Sequence, residues 1–381
     1  MGAFAAALSS EELVLFSRIG VREDVIPRDG HAFGPFARTY ARPSGNAGIR
    51  VLPALPAMIR SFPKELSALV AEQHRQRPWD MVIIEHCYAY VALPPLPGAQ
   101  IVLNEHNIES TYWRRRLSWR PAELPHNLHQ YAIWRRYETT AWRRVDAVTV
   151  VSEQDAVEVR KVRPDSGMVF PNGVDIDKHR FILPSRRVGA RVLFLGTMDY
   201  EPNIQAAIML AKQVMPELRA LVPDATLTIA GRDPFPVVRG LGNSFVHVTG
   251  AIDDLRDLFD SHATFAMPIE LGAGSSLKAL EALAAGLPLV ASPFAVRGHP
   301  LVGGVHYVDA RTPREIAAAL AEVLNHRQKF DAMAHEGRAV AESLSWRGIG
   351  SRFAEWVRAT RVKRSGLERA PVRAPLAGAL F

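Results

Sequence analysis

The residues of this chain whose types and spacing bear most directly on chemistry lie between Pro268 and Pro288, in the stretch PIELGAGSSLKALEALAAGLP. An apolar segment, Thr264 to Met267, feeds a loop carrying Gly272, Ala273 and Gly274, and a helix of small residues opens at Ser275 and Ser276 and ends at Gly286. Strand, glycine loop and helix start together make an anion-binding device. First-turn N–H groups have no partner within the helix, and the helix dipole places positive potential there; glycine lets a ligand approach the backbone. Lys278 and Glu281, three residues apart, share one helix face. A phosphate at the helix start, a lysine over it and a carboxylate for ribose hydroxyls would suit a nucleoside diphosphate. The same segment also reads as a loop and helix of an ordinary α/β sheet with a surface ion pair.

Arg232, in AGRDP, follows the apolar run 225–231 and so falls at the carboxyl edge of a strand. With Lys278 it could clamp a diphosphate, arginine giving planar paired donors and lysine a compact charge; alone, it reads equally as a solvated loop arginine. In the first half of the chain the strand Gln100–Leu103 delivers NEHNIES, residues 104–110. Polar residues at the carboxyl end of a parallel strand face the ligand crevice of an open α/β sheet. His106 thus has a placed functional role, with Asn104, Glu105, Asn107 and Glu109 around it as acceptor-side candidates. A histidine near a helix start satisfied by its neighbours would look the same.

Residues 110–145 are helical and dense in arginine and tryptophan. Arg114, Arg115, Arg116, Arg120, Arg135, Arg136, Arg143 and Arg144 are interleaved with Trp113, Trp119, Trp134 and Trp142, and only Glu123 and Glu138 compensate. Such a surface suits an anionic membrane interface, a phosphorylated acceptor (for which Arg114 is the candidate) or nucleic acid. Long helices with solvated arginines and core tryptophans give the same pattern.

The elements that must position these residues follow from apolar runs. Strands are expected at Asp80–Glu85, Gln100–Leu103 and Ala147–Val151, then at 191–196, 225–231, 245–250, 264–267, 287–292 and near Val305–Val308, with helices between them. That alternation implies parallel, doubly wound sheets. A chain of 381 residues exceeds what one core supports, so two domains are expected. Residues 1–180 form an N-terminal Rossmann-like domain and 181–345 a second; 346–360 is a terminal helix packing back on the first domain, and 361–381 a basic tail that reads as disordered. Residues 12–19 look like a strand, 28–53 like loop and Pro56–Gln76 like a helix; the strand and glycine turn that usually open such a domain are not visible.

The composition is globular, with 48% hydrophobic and 22% charged residues. A single cysteine, Cys87, gives no disulfide framework and fits a reducing cytoplasm. No run approaches the roughly 18 apolar residues of a membrane span, and the first residues lack the basic start of a signal peptide. A net charge of +7 favours anionic partners without choosing among them. GAGSSL is not a dinucleotide fingerprint, for it lacks the third glycine and the acidic residue about 20 positions on. Nor is there a Walker A pattern, a G-x-S-x-G elbow or a zinc-spaced cysteine set; HNLH at 126–129 offers two histidines without an evident third ligand, so no metal is expected.

The order of motifs resembles the retaining GT-B glycosyltransferases of family 4, the group 1 glycosyltransferases. The matching pieces are VLNEHNIES, VTVVSEQD, VFPNGVD, FLGTMDYEPN, TIAGRDP, VTGAIDDL, PIELGAGSSLKALEALAAGLPLVAS and a terminal helix opening at SW, over about residues 80–360. The resemblance implies two Rossmann-like doubly wound parallel-sheet domains facing across a cleft, with the donor mainly in the second and the acceptor in the first. It implies transfer of a sugar from a nucleoside-diphosphate-sugar with retained configuration, without a metal or other cofactor. His106 would sit beside the transferred sugar; Arg232 and Lys278 would hold the diphosphate, Glu281 the ribose, and the backbone at Gly196, Gly274, Ser275 and Ser276 would line the phosphates. The expected acceptor is a cell-surface polysaccharide or a lipid-linked glycan, and the expected location is the cytoplasm or the inner face of the membrane, with no nucleic acid partner. Three departures stand out. Ala273 occupies the position eight before Glu281 where many members have a first glutamate, with Glu270 out of register; TMDYEPN replaces the Arg and Lys that commonly follow the first strand of the second domain; and the N-terminal opening strand is missing. They leave room for a degenerate member that binds nucleotide or a protein partner without turnover.

Overall fold

A computed structural model of the chain describes residues 14–16, 23–25 and 64–364, except Arg120, Asp233, Asp253, Ala273 and Gly274. Two compact units emerge, one of residues 1–170 and 349–381, the other of residues 171–348. The loop expected at 28–53, the start of the helix expected from Pro56 and the tail beyond 364 lie outside the described residues. The strand expected at 12–19 is β1 (Val14–Phe16), paired antiparallel with β2 (Glu23–Val25) in a two-stranded sheet of its own; it does not join the parallel sheet.

In the first unit α1 (Lys64–Gln76) leads into β3 (Met81–Glu85), β4 (Gln100–Glu105), β5 (Ala147–Val150) and β6 (Met168–Val169), all parallel and in chain order. Between β4 and β5 run α2 (Glu109–Trp119) and α3 (Leu124–Arg144), and α4 (Glu153–Arg160) follows β5. Every residue of β4 is buried, as expected for a parallel strand covered on both faces. Trp134, Tyr137, Glu138, Ala141 and Trp142 recur at three- and four-residue spacing and form the buried stripe of α3. Trp134 and Trp142 are therefore core residues. Of the arginines, Arg114 and Arg135 pair with Glu158, and Arg116 with Glu123. Much of what looked like an open Arg/Trp surface is thus a core stripe with paired rims.

In the second unit β7 (Arg191–Leu195) is followed by α5 (Glu201–Met209), which passes through a π-turn at Leu210–Val214 into α6 (Met215–Leu221). There follow β8 (Thr226–Ala230), α7 (Pro236–Arg239), β9 (Val246–Val248), α8 (Arg256–Ser261), β10 (Thr264–Met267), α9 (Leu277–Ala284), β11 (Leu289–Ala291), β12 (Val308–Asp309), α10 (Pro313–Asn325) and α11 (Asp331–Ser343). The six parallel strands lie in the order β12-β11-β10-β7-β8-β9. The chain winds outward from β7 to β9, then restarts at β10 on the other side of β7. The crevice between the carboxyl ends of β7 and β10 is thus the topological switch point, where open α/β sheets bind ligands.

The terminal α12 (Trp346–Arg364) buries Ile349, Phe353 and Val357 at successive four-residue steps, and Phe353 meets Phe170 edge-on with ring centroids 5.0 Å apart. The helix ends are specified locally: Thr312 and Glu315 form a reciprocal capping box on α10. α9 ends in a Schellman turn, the N–H of Gly286 donating to the carbonyl of Leu283 and that of Leu287 to Ala282. Gly286 has φ of +68°, and a Cβ there would lie 2.8 Å from the Ile182 carbonyl oxygen and from the Phe181 ring. Gly286→Ala combines a left-handed side chain with a backbone clash and is expected to cost about 2–4 kcal/mol. Denaturant unfolding of the second unit's transition checks this; an unchanged midpoint would remove the role assigned to this turn.

Candidate active site

At the switch point the loop after β7 and the start of α9 meet. The Lys278 ammonium, one residue into α9, reaches across to the end of β7, donating to the Leu195 carbonyl at 2.8 Å and to Asn203 Oδ1 at 3.0 Å, and lies 5.4 Å from the centre of the Phe194 ring. Burial pushes its pKa down to about 8, against a smaller upward pull from Glu281. Glu281, one turn on, is partly buried; burial pushes its pKa up while Lys278 draws it down. Its carboxylate has no hydrogen-bond partner among the described residues. Ser276 is the N-cap of α9 without a side-chain cap bond, so the first-turn amides are not closed off by it.

The surrounding backbone is held closely. Asn172 Nδ2 donates to the Ser275 hydroxyl at 3.0 Å, and His299 Nε2 to the Ser276 carbonyl at 2.9 Å. Gly196 and Gly231 touch back to back: a Cβ on Gly231 would fall 1.6 Å from the Gly196 carbonyl oxygen, and one on Gly196 2.6 Å from the Asn203 side chain. Only glycine fits at either place, and strand ends β7 and β8 can meet only in this way. Gly272, with φ of +146°, lies beside the Tyr200 hydroxyl and the Arg297 guanidinium. Arg232 follows β8 and is exposed, with its carbonyl accepting from the Met198 N–H. The structure thus gathers Gly196, Ser275, Ser276, Lys278 and Glu281 at one crevice; Gly274 lies outside the described residues. Asn203, Asn172, Tyr200 and Arg297 join them without having been singled out in sequence. Asn203 alone left a signal, standing at the third position of a helix that follows a strand.

In the first unit the carboxyl ends of β3 and β4 carry a second polar group. His106 is half exposed and its Nε2 lies 2.5 Å from Glu85 Oε2. The His106 contact holds the Glu85 carboxyl below its ordinary value even though burial opposes this. Asn104 is buried alongside, between Glu85 and Thr149. Arg114 is exposed and paired with Glu158. Glu105 points the other way, fully buried, its oxygens accepting from Trp142 Nε1 at 2.8 Å and the Cys87 N–H at 3.2 Å. Glu138 caps α2 from inside, accepting from the N–H of Glu109 and from Ser110. Glu109 accepts from Tyr88 and Asn107. Burial raises the pKa of all three carboxyls, Glu105 to about 7.

Beside them His86 takes φ of +70°, the single non-glycine residue with positive φ among those described. The ligand atoms of His86, Cys87 and Glu105 lie within 4.8 Å of one another, a set able to hold a metal ion that the cysteine and histidine spacing did not suggest. The Glu105 oxygens are already engaged by Trp142 and the Cys87 amide, and Cys87 Sγ lies 3.4 Å from His86 Nδ1.

The chain has two parallel-sheet α/β units, of four and six strands, the architecture of the GT-B fold. Its structural relatives include sucrose-phosphate synthase from Thermosynechococcus elongatus (TM-score 0.64, 18% identity, 81% of this chain and 80% of that one). They also include HepE from Anabaena, in complex with UDP and glucose (TM-score 0.60, 16% identity, 81% and 84%). Glycogen synthase of Mycobacterium tuberculosis is 26% identical over 316 residues, 78% of this chain and 73% of that protein. Two family models match successive parts of the chain, Glycosyltransferase Family 4 over residues 24–178 and Glycosyl transferases group 1 over residues 189–326. The chain belongs to the group 1, family 4 glycosyltransferases.

The buried carboxyls give a test in pH. Glu105 keeps its proton to about pH 7 in the folded chain but loses it near 4.5 when unfolded. The folded state therefore holds more protons between these values, and stability falls as pH rises through that window, by at most about 3 kcal/mol for this group. Glu105→Gln is expected to flatten the fall in unfolding midpoint between pH 5 and 7.5. A slope equal to that of the wild type would refute the assignment.

Proposed function

We propose that this glycosyltransferase moves a sugar from a nucleoside-diphosphate-sugar, with retention of configuration, to a cell-surface polysaccharide or lipid-linked acceptor. The observation that carries the donor half of this reading is Lys278 at the β7–β10 switch point, beside an uncapped helix start and a carboxylate without a partner. In this reading Lys278, the first-turn amides of α9, Gly196 and Arg232 hold the diphosphate, and Glu281 takes the ribose hydroxyls. That HepE has been seen with UDP and glucose supports a donor of this class. Retention rests on the resemblance of the motifs. No protein nucleophile is needed, since the leaving diphosphate can take the acceptor proton on the face it departs from, and the chain supplies positioning and charge stabilisation. No metal or other cofactor enters the scheme.

His106, with Asn104, Asn107 and Glu109 and with Arg114 further along α2, belongs to the acceptor side and to the sugar being transferred. No described helix is long and apolar enough to cross a membrane. We place the enzyme in the cytoplasm, with contact at the inner membrane face through the exposed Arg136 and Arg143 and the exposed Leu124 and Leu128 of α3. Ala273, standing where many members carry a glutamate, favours one other reading, a nucleotide-binding protein without turnover. UDP-glucose, GDP-mannose and ADP-glucose hydrolysis distinguishes the two: slow release of sugar supports the enzyme, and binding without release supports the other.

Lys278→Ala is expected to weaken UDP binding about 10- to 100-fold, the worth of one charge-assisted contact. Because the free lysine titrates near pH 8 and only its charged form attracts phosphate, affinity is expected to fall above pH 8 by up to about tenfold per unit. Calorimetric titration with UDP from pH 7 to 9.5 reads both. A flat profile that Lys278→Ala does not change would overturn the donor site.

A further inference from the structure

Strand register sets three polar residues in one row across the first sheet. Glu85 on β3 stands opposite Asn104 on β4, and Asn104 opposite Thr149 on β5. Aligned neighbours on parallel strands project from the same face, so their side chains can join. They do: Thr149 Oγ1 donates to Asn104 Oδ1 at 2.8 Å, Asn104 Nδ2 donates to Glu85 Oε2 at 2.8 Å, and the same Glu85 oxygen meets His106 Nε2 at 2.5 Å. The row runs from a fully buried hydroxyl to a ring that is 48% exposed.

Each link admits one direction. The threonine hydroxyl gives its proton to the Asn104 oxygen, which turns the amide nitrogen toward Glu85. An ionised carboxylate only accepts, so the hydrogen between Glu85 and His106 belongs to Nε2. The neutral ring then carries its lone pair on Nδ1. The ring plane is also restrained, because a carboxylate bond of this length tolerates little rotation, and the His86 ring centre lies 5.9 Å away.

We infer that Glu85, backed by Asn104 and Thr149, is a positioning residue that acts through His106, fixing its Nε2–H tautomer so that Nδ1 is the atom presented to substrate. The inference deepens the reading of His106 as a residue beside the transferred sugar and rests on it for its catalytic consequence. Nδ1 can accept from a sugar hydroxyl when neutral, and loses that ability whenever the ring flips or adopts the other tautomer. Thr149 and Asn104 keep Glu85 from turning away, which explains why polar side chains occupy buried places in the middle of a parallel sheet, where apolar ones would cost less.

Two measurements on the full chain test this. The first is hydrolysis of UDP-glucose by E85Q, H106A and the double variant. Turnover by E85Q is expected to fall about 10- to 100-fold with KM little changed, and the double variant to be no slower than H106A alone, because a residue acting through His106 has nothing to act on once it is gone. An E85Q loss as large on the H106A background as on the wild type would overturn the proposal. The second is the two-bond ¹⁵N–¹H spectrum of histidine-labelled protein, with the His106 signals assigned by their loss in H106A. The wild type is expected to show the Nε2–H pattern and E85Q a mixture of tautomers. A pure Nε2–H pattern in E85Q would overturn the proposal whatever the turnover. If H106A leaves hydrolysis unchanged, the placement of His106 beside the sugar fails, and the spectrum still decides the role of Glu85.

Discussion

The withdrawal of the Lys278 ammonium from water at the end of β7 constrains the second unit more than any other contact. A cation in partial burial has to be met by fixed acceptors, and here they are a strand-end carbonyl and the Asn203 side chain. That requirement ties α9, which follows β10, to β7 and to α5, across the point where the winding of the sheet reverses. It also separates this lysine from a surface ion pair with Glu281, the simpler sense of the same i, i+3 spacing. A surface pair would leave both groups hydrated and near their ordinary pKa values; these two are moved in opposite directions, each mainly by burial.

Close backbone approach follows from the same constraint. The loops after β7 and β8 lie against each other beside the Asn203 side chain that meets the lysine. Gly196 and Gly231 allow it, because a side chain on Gly231 would occupy the Gly196 carbonyl. The N–H groups of Gly196, Met198 and Gly231 are already spent, donating to the carbonyls of Ala230, Arg232 and Gly250, so the positive potential of the crevice rests on Lys278 and the first turn of α9.

Much of this was legible in the sequence because it is local. Apolar runs gave the parallel strands and Gly286 the end of α9, and the sequence spacing put Lys278 and Glu281 on one face of that helix. What stayed hidden depends on register and facing. Glu85, Asn104 and Thr149 lie 19 and 45 residues apart, and only strand pairing sets them in a row. Glu105 and Asn104 are neighbours in sequence, yet the two-residue period of a strand turns one into the core and the other along the row. Trp134 and Trp142 read equally as part of a surface or of a core among their arginine neighbours; the structure puts them in the buried stripe of α3. At the amino end, the apolar run that reads as a strand pairs antiparallel with residues 23–25 and not with the parallel sheet, a partner that its own residues do not specify.

The two units concentrate opposite chemistries at their strand ends. The second gathers a cation and free amide donors; the first gathers carboxyls and imidazoles, with Glu105, Glu109 and Glu138 buried and accepting from N–H and O–H groups. Burial raises the pKa of these three carboxyls, and their oxygens are turned inward to donors of the first unit itself. In the reaction proposed above, a diphosphate at Lys278 would be stabilised as its charge grows during departure, since a fixed cation and fixed dipoles need no rearrangement to meet it. In the proposal for His106, hydroxyl recognition would depend instead on which ring nitrogen holds the proton, and a carboxylate braced through Asn104 and Thr149 by two neighbouring strands is a firm way to set that.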